Sequence, residues 1–244
     1  MPYRTIGVDE IARYLHLTRA DIERLVKNED IPYERHGDRL IFRKVAIDAW
    51  ASQRILGLQG KPLAEYHQKS SSDLRPLLPH EALMPEMLQP TYIHPALPAK
   101  TKASVLREMT ALAEKTGRVF DSVALLHGLE AREALCSTGL PGGLALMHTR
   151  CPETYLFETP FVVLGRTPQD IFFGAPDRQP TRLFFLICCP DDRLHLHTLA
   201  RVCVMVQRTQ MLKTLLEVEG AESMYQCILA AEQEVLRLGT KTPK

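Results

Sequence analysis

The first 55 residues carry a pattern of apolar and polar positions that predicts two short helices, a hairpin and a third helix. Apolar residues recur at helical spacing in residues 8–17 and again in residues 20–28, and Thr18 between them is suited to cap the second helix. Gly37 and Asp38 then separate two strand-like runs, which predicts a hairpin, and a further helix is predicted from residue 43. Two helices joined by a tight turn form a helix-turn-helix arrangement, with the hairpin as a wing.

The helical pattern is lost between residues 56 and 76, where helix-interrupting residues cluster. They are Gly57, Gly60, Pro62, Ser70, Ser71, Ser72 and Pro76. This composition predicts a flexible linker between two independently folded parts, with His67 exposed to solvent.

Residues 77–240 alternate helical and strand patterns, which predicts an α/β fold with helices layered on a sheet. Helices are predicted at residues 100–116, 120–133, 194–207, 211–218 and 221–237, and strands at 143–148, 161–164 and 183–189. The chain is therefore divided into a winged helix-turn-helix domain at 1–55, a linker at 56–76 and an α/β domain at 77–240.

Composition and charge narrow the functional classes. A chain of 244 residues with 45% hydrophobic and 24% charged residues is typical of a soluble globular protein. No signal-like or membrane-spanning run is present, and the six cysteines include no CxxC spacing, which predicts a cytoplasmic protein without a metal site or a cofactor. The net charge of +1 predicts no gross attraction to nucleic acid or to anionic membranes.

One histidine stands out as a candidate for chemistry. His148 ends a short apolar run that follows a Gly- and Pro-rich turn, and Arg132 lies one helix earlier. Neutral imidazole is a nucleophile near pH 7, and a guanidinium can neutralise an incoming phosphate. The pattern therefore indicates a phosphoryl-accepting site. Cysteine catalysis is disfavoured, since Cys136 and Cys151 have no nucleophile-and-base arrangement around them.

The N-terminal segment resembles the excisionase-like, MerR-related winged-helix DNA-binding domains. The matching stretches are residues 8–15, 17–19, 31–32, 37–42 and 46–50. The resemblance implies that the second helix enters the major groove of double-stranded DNA while the wing contacts the backbone or the minor groove. The candidate contact residues are Arg19, Arg24, Lys27, Arg35, His36 and Arg39.

The charge of this segment qualifies its expected affinity. Residues 1–55 contain ten Lys and Arg against nine Asp and Glu. Phosphate neutralisation supplies most non-specific affinity, so weak binding and a homodimer are expected, with protein docking or a relic domain as the alternatives.

The C-terminal part resembles the fructose/mannitol-type enzyme IIA domain of the phosphoenolpyruvate-dependent phosphotransferase system, including its nitrogen-regulatory branch. The resemblance is carried by Arg132-Glu133, by Ser137-Thr138-Gly139, by the apolar run ending at His148, and by residues 184–190 followed by His195-Leu196-His197-Thr198-Leu199-Ala200. Met147 and Thr149 replace the family's proline and glycine on either side of the histidine.

The resemblance assigns roles to three residues. His148 corresponds to the histidine that accepts a phosphoryl group from a phosphohistidine carrier protein, Arg132 to the arginine that stabilises phosphohistidine, and His195 to the second histidine of the site. His197 lies two residues further, about 200° around the helix, and is expected to face elsewhere.

Together, the two halves predict a regulatory phosphoryl carrier, rather than a free-standing enzyme, which couples phosphorylation of His148 to DNA binding. Two alternatives remain open. The chain could be a sugar-transport phosphocarrier whose N-terminal domain docks a protein, or a scaffold that is not phosphorylated. In each case a regulatory protein target is a possible partner, and no membrane insertion is expected.

Overall fold

Helices and strands fall into two groups along the chain, which the computed structural model describes over residues 4–74, 80–149 and 155–239. The N-terminal group consists of β1 (Thr5–Ile6), α1 (Val8–Tyr14), α2 (Arg19–Lys27), β2 (Glu34–His36), β3 (Arg39–Arg43) and α3 (Lys44–Gly57). Its three strands form a small antiparallel sheet in the order β1-β3-β2.

Local signals define these N-terminal elements. The Thr18 hydroxyl accepts from the Asp21 amide while the Asp21 carboxylate accepts from the Thr18 amide, a capping box that begins α2. Gly37 has a φ of +60°, a conformation that glycine adopts without strain, and it turns β2 back onto β3. The predicted helix-turn-helix and wing are therefore present.

Most of the segment predicted to be a flexible linker, residues 56–76, is a helix, α4 (Gly60–Leu74), so that prediction was wrong there, and residues 75–76 lie outside the described residues. Gly60, at a φ of +57°, turns the chain into the helix, and Pro62 lies in the first turn, where backbone N–H groups lack helical partners in any case. The hydroxyls of Ser70, Ser71 and Ser72 donate hydrogen bonds to backbone carbonyls three or four residues earlier in the helix. The burial of Leu63 and Leu74 and the packing of α4 against α8 outweigh the weak helical propensity.

The C-terminal group consists of a mixed sheet and its flanking helices. The strands are β4 (Ile93–His94), β5 (Gly139–Leu140), β6 (Leu144–Met147), β7 (Phe161–Ile171) and β8 (Thr181–Cys188). The helices are α5 (Met84–Met87), α6 (Lys102–Glu114), α7 (Ser122–Leu135), α8 (Asp192–Arg208), α9 (Met211–Glu217) and α10 (Ala221–Gly239), with a 3₁₀ turn at Pro90–Tyr92.

The sheet has the strand order β4-β7-β8-β6-β5. Parallel pairs (β4 with β7, β6 with β8) alternate with antiparallel pairs (β7 with β8, β5 with β6). β8 reads as a continuous apolar run because both of its faces are covered, and Leu183–Cys188 are all buried. The α/β class predicted from the sequence is confirmed.

One close contact and one long strand complete the C-terminal architecture. α6 crosses β7 at Gly165, where a Cβ atom would lie 2.7 Å from the Met109 sulfur, so any larger residue would force the Met109 side chain to shift. β7 extends well beyond the predicted residues 161–164, with a register irregularity between Arg166 and Ile171. Its polar distal half is held by pairing with β8, which the local pattern does not indicate.

No helix in the described parts of the chain is both long enough and apolar enough to cross a membrane.

Candidate functional site

His148 follows the last residue of β6 and lies in the interior, with 1% of its surface exposed. Its Nδ1 lies 2.8 Å from the Leu146 carbonyl oxygen. A carbonyl can only accept, so Nδ1 carries the proton and Nε2 holds the lone pair. The backbone therefore fixes the tautomer in which Nε2 is the nucleophilic atom.

Arg132 directs its guanidinium at that nitrogen from the last turn of α7. Its Nε donates to His148 Nε2 at 3.2 Å, and its Nη1 donates to the Cys136 carbonyl at 2.9 Å. The Nη2 group is buried and has no hydrogen-bond partner among the residues that the structure describes. A buried donor without a partner lowers the stability of the fold by about 1–3 kcal/mol, and by more when the donor is charged. The Nη2 group is therefore suited to bind an anion that arrives during function.

The turn after α7 is held in place by a buried carboxylate. Glu133 accepts from the Thr138 amide and hydroxyl, the latter at 2.7 Å, and pairs with Lys102 Nζ at 2.8 Å. These bonds fix the turn that presents the Cys136 carbonyl to Arg132. The two adjacent residues therefore have different roles: the Arg132 side chain contacts His148, and the Glu133 side chain holds the backbone at Thr138.

His195 approaches His148 from the first turn of α8, and their ring centroids are 5.0 Å apart. The side chain of Asp191 accepts from the Leu194 amide and so caps this helix. The structure therefore brings together all three residues that the sequence named for this site, His148, Arg132 and His195.

Both site histidines are held neutral. Burial, followed by the neighbouring His195 and Arg132, places the pKa of His148 well below its ordinary value. Burial, followed by Arg132 and Lys44, lowers the pKa of His195 to about 4. Neutral imidazole keeps the lone pair that nucleophilic attack needs.

His197 faces away from this site, as its position on the helix predicted, and belongs to a second buried cluster. Its Nδ1 is 2.7 Å from the Ser70 hydroxyl of α4, and its ring stacks on His67 at 5.1 Å. Arg201 donates from Nε to His67 Nε2 at 2.7 Å and pairs with Glu232 at 2.8 Å. The prediction that His67 is solvated was wrong, because α4 carries it into this cluster.

The N-terminal domain contributes two side chains that sequence reasoning missed. The Ser52 hydroxyl of α3 is 3.4 Å from His195 Nε2, and Lys44 forms ion pairs with Asp48 on its own helix and with Asp192 on α8. Asp48 and Ser52 lie four residues apart and both are buried. A buried polar pair at this spacing is a signal of a contact surface, but the pattern does not name the partner.

The six candidate DNA-contacting residues are all exposed, three on α2 and three in or beside the wing. Arg19 pairs with Asp9 and Glu23, and Arg24 pairs with Asp21, so acidic neighbours neutralise part of the helix charge. No ion pair of Lys27, Arg35 or Arg39 occurs among the described residues. In the same parts of the chain, no three His, Cys, Asp or Glu side chains are grouped as a metal site requires.

Residues 86–231, more than half of the chain, match the family model described as phosphoenolpyruvate-dependent sugar phosphotransferase system, EIIA 2. The chain belongs to this family. Residues 5–55 match a second model, described as a helix-turn-helix domain. The two predicted resemblances are therefore confirmed at the level of the family.

Relatives of two kinds are similar to the C-terminal part. A nitrogen regulatory protein of Bradyrhizobium diazoefficiens is 31% identical over 143 residues, covering 57% of this chain and 90% of the relative. The fructose-specific EIIABC component of Bacillus subtilis is 28% identical over 145 residues, covering 59% of this chain but only 22% of that longer protein.

Solved structures extend the similarity to the fold. The nitrogen regulatory protein IIA-Ntr of Neisseria meningitidis superposes with a TM-score of 0.55 at 25% identity, covering 60% of this chain and 99% of that one. The mannitol IIA of Escherichia coli superposes at 0.52 with 18% identity, covering 58% and 98% of the two chains, which supports the fold alone.

Proposed function

We propose that the protein is a phosphoryl carrier that accepts a phosphoryl group on His148 Nε2 and couples this modification to DNA binding by its N-terminal domain. One observation carries the first half of the proposal. A neutral imidazole with its proton fixed on Nδ1 lies beside a buried guanidinium whose Nη2 has no partner among the described residues.

The transfer follows from this geometry. The Nε2 lone pair attacks the phosphorus of a phosphohistidine on a carrier protein, and the N–P bond of the donor breaks with its electron pair returning to the donor nitrogen. His148 keeps its Nδ1 proton, which continues to donate to the Leu146 carbonyl and stabilises the positive character of the phosphorylated ring.

Arg132 changes partners during the reaction. Its Nε donates to the Nε2 lone pair before transfer and is released when that lone pair forms the new bond. Nε and Nη2 are then both available to phosphoryl oxygens, and a guanidinium matches two such oxygens at once. Because phosphoryl transfer depends chiefly on positioning and charge neutralisation, this exchange of partners is the main contribution of Arg132. His195 supports it as a neutral neighbour.

The N-terminal domain supplies the regulatory half. Its family match, its capped second helix and the exposed Lys27, Arg35 and Arg39 favour double-stranded DNA as the ligand. The arginines of α2 are already paired with acids, so binding requires them to exchange a carboxylate for a phosphate. Affinity is therefore expected to be weak for one copy and stronger for two.

The experiment is incubation with phosphoenolpyruvate and the general phosphotransferase proteins, followed by intact mass measurement. The wild type should gain the mass of one phosphoryl group in an acid-labile form, and His148→Ala should gain none. His127→Ala, an exposed histidine on α7, is the matched control and should label normally. Equal labelling of the wild type and His148→Ala would refute the assignment.

A transport role is the second candidate, favoured by the similarity to the fructose-specific protein of Bacillus subtilis. In that case the phosphoryl group should pass from His148 to the IIB part of a sugar permease, and the N-terminal domain should dock a protein. Phosphotransfer to such a permease part, measured beside retardation of duplex DNA, separates the two functions. An unlabelled protein would leave the scaffold role.

A further inference from the structure

The N-terminal domain lies against the phosphoryl site through α3. Ser52, with 1% of its surface exposed, directs its hydroxyl at His195 Nε2 at 3.4 Å. One helical turn earlier, Asp48 accepts from the Tyr14 hydroxyl at 2.8 Å and pairs with Lys44, and Lys44 also pairs with Asp192. The contact thus covers the first turn of α8, which carries His195.

The helix that follows α3, α4, is fixed to the EIIA domain. The second histidine cluster joins α4 to α8 and, through Arg201 and Glu232, to α10. Between α3 and α4, the side-chain amide of Gln207 accepts from the Gly60 amide and donates to the Leu58 carbonyl, both at 3.0 Å. Residues 58–60 and α4 are therefore held against α8, and any separation of the N-terminal domain must occur before Leu58, at the end of α3.

The closed arrangement conflicts with transfer from a protein donor. A donor must bring its phosphorus to about 3 Å from the attacking nitrogen along the N–P axis. His148 has only 1% of its surface exposed, and His195 beside it is covered by Ser52. While α3 occupies this surface, a folded carrier protein has no access to Nε2 from the side of His195.

We propose that α3 and the phosphohistidine carrier compete for one face of the EIIA domain, so that the N-terminal domain is a lid that must leave before His148 is phosphorylated. This inference rests on the proposed phosphoryl-carrier function. The polar contacts that hold the lid on α8 are the partly exposed Lys44–Asp192 pair and one long hydrogen bond from Ser52, and they can be changed without altering the apolar residues that α3 buries. Opening also frees the N-terminal domain, which links phosphorylation to its other partners.

The test loosens the lid from the EIIA side. Asp192→Lys places a like charge opposite Lys44 and leaves the Tyr14–Asp48–Lys44 contacts intact. Glu222→Lys is the matched control, since Glu222 is likewise an acidic residue in the first turn of a long helix, but on α10 and exposed. Each protein is phosphorylated in separate reactions by the carrier protein and by phosphoramidate. Phosphoramidate is a small donor that can reach His148 during brief openings of the lid.

Asp192→Lys should raise the initial rate with the carrier protein about 5-fold or more, and should raise it more than the rate with phosphoramidate. Glu222→Lys should match the wild type with both donors. If Asp192→Lys does not fold, Asp192→Asn removes the pair with a smaller charge change and should act in the same direction.

The outcomes separate the two proposals. One outcome is that Asp192→Lys and the wild type are both labelled by the carrier protein, at the same rate. This result would overturn the lid and would leave the phosphoryl-carrier function standing. A slower rate would overturn the lid as well, because it would mean that the contact assists transfer. Absence of labelling in every protein with both donors would overturn the phosphoryl-carrier function and the lid with it.

Discussion

Arg132 is the residue whose environment most directly anticipates a ligand. It is buried, yet the Nη2 group of its guanidinium has no hydrogen-bond partner among the described residues. Structures rarely leave a charged donor in this state, because the lost hydration is not recovered. A phosphoryl oxygen on His148 would supply the missing acceptor.

Replacing Arg132 should therefore slow transfer without abolishing the acceptor. Arg132→Ala is expected to lower the transfer rate on the order of 100-fold, the effect of removing one preorganised donor, while long incubation still labels His148. Arg132→Lys should recover only part of the rate, since an ammonium cannot span two oxygens. Quenched-flow labelling measures the rates. A wild-type rate for Arg132→Ala would remove this residue from the site.

At the scale of elements, the second histidine cluster makes α4 sensitive to acid. Burial, followed by Arg201, lowers the pKa of His67 to about 3 and that of His197 to about 2. In the unfolded chain both titrate near 6.5, so the unfolded state takes up protons first as the pH falls. The stability that these neutral rings provide is complete above about pH 6.5 and is lost progressively below it.

The free energy of unfolding should therefore fall when the pH is lowered from 7.5 to 5.5. His67 and His197 should each contribute roughly 1 kcal/mol to this decrease. Urea titrations at both pH values measure this change. His197→Asn should reduce the pH dependence, whereas His36→Asn, at an exposed histidine of the wing, should leave it unchanged. The same pH dependence for His197→Asn and the wild type would contradict the linkage.

α2 and the wing should bind DNA chiefly through charge. Arg39→Ala and Lys27→Ala are each expected to weaken binding to a pool of random-sequence duplex DNA and to lower the salt dependence by about one counterion. Lys213→Ala, an exposed lysine of α9, is the control. Fluorescence anisotropy at several salt concentrations measures both quantities. Undiminished binding by the wing and helix variants would favour protein docking instead.

The elements that sequence predicted well are those whose signals are local. Thr18 begins α2, Gly37 turns the wing, and the apolar run of β8 marks a strand buried on both faces. α4 was missed because its serines and Pro62 are poor helix formers, and its helix depends on packing against α8. The grouping of His148, Arg132 and His195 was predictable from motif order, but the contact of Ser52 with His195 joins residues 143 positions apart and leaves no local signal.

At the scale of the whole molecule, the two domains share a surface, so their functions should be coupled. Phosphorylation of His148 would add about two negative charges beside α8, the helix that α3 contacts. We expect phosphorylated and unphosphorylated protein to differ in DNA affinity or in association state on the order of 5–150-fold. Anisotropy and sedimentation of both forms measure this. Identical curves in both assays would mean that the domains work independently.

The central claim is that the phosphoryl group resides on Nε2 of His148, and nitrogen NMR of the labelled histidine tests it most directly. The ¹⁵N-labelled protein is phosphorylated, and long-range ¹H–¹⁵N correlations of the His148 ring identify which nitrogen carries phosphorus. The Leu146 carbonyl bond predicts phosphorus on Nε2 and a retained proton on Nδ1. A phosphoryl group on Nδ1, or on a ring other than His148, would contradict the account.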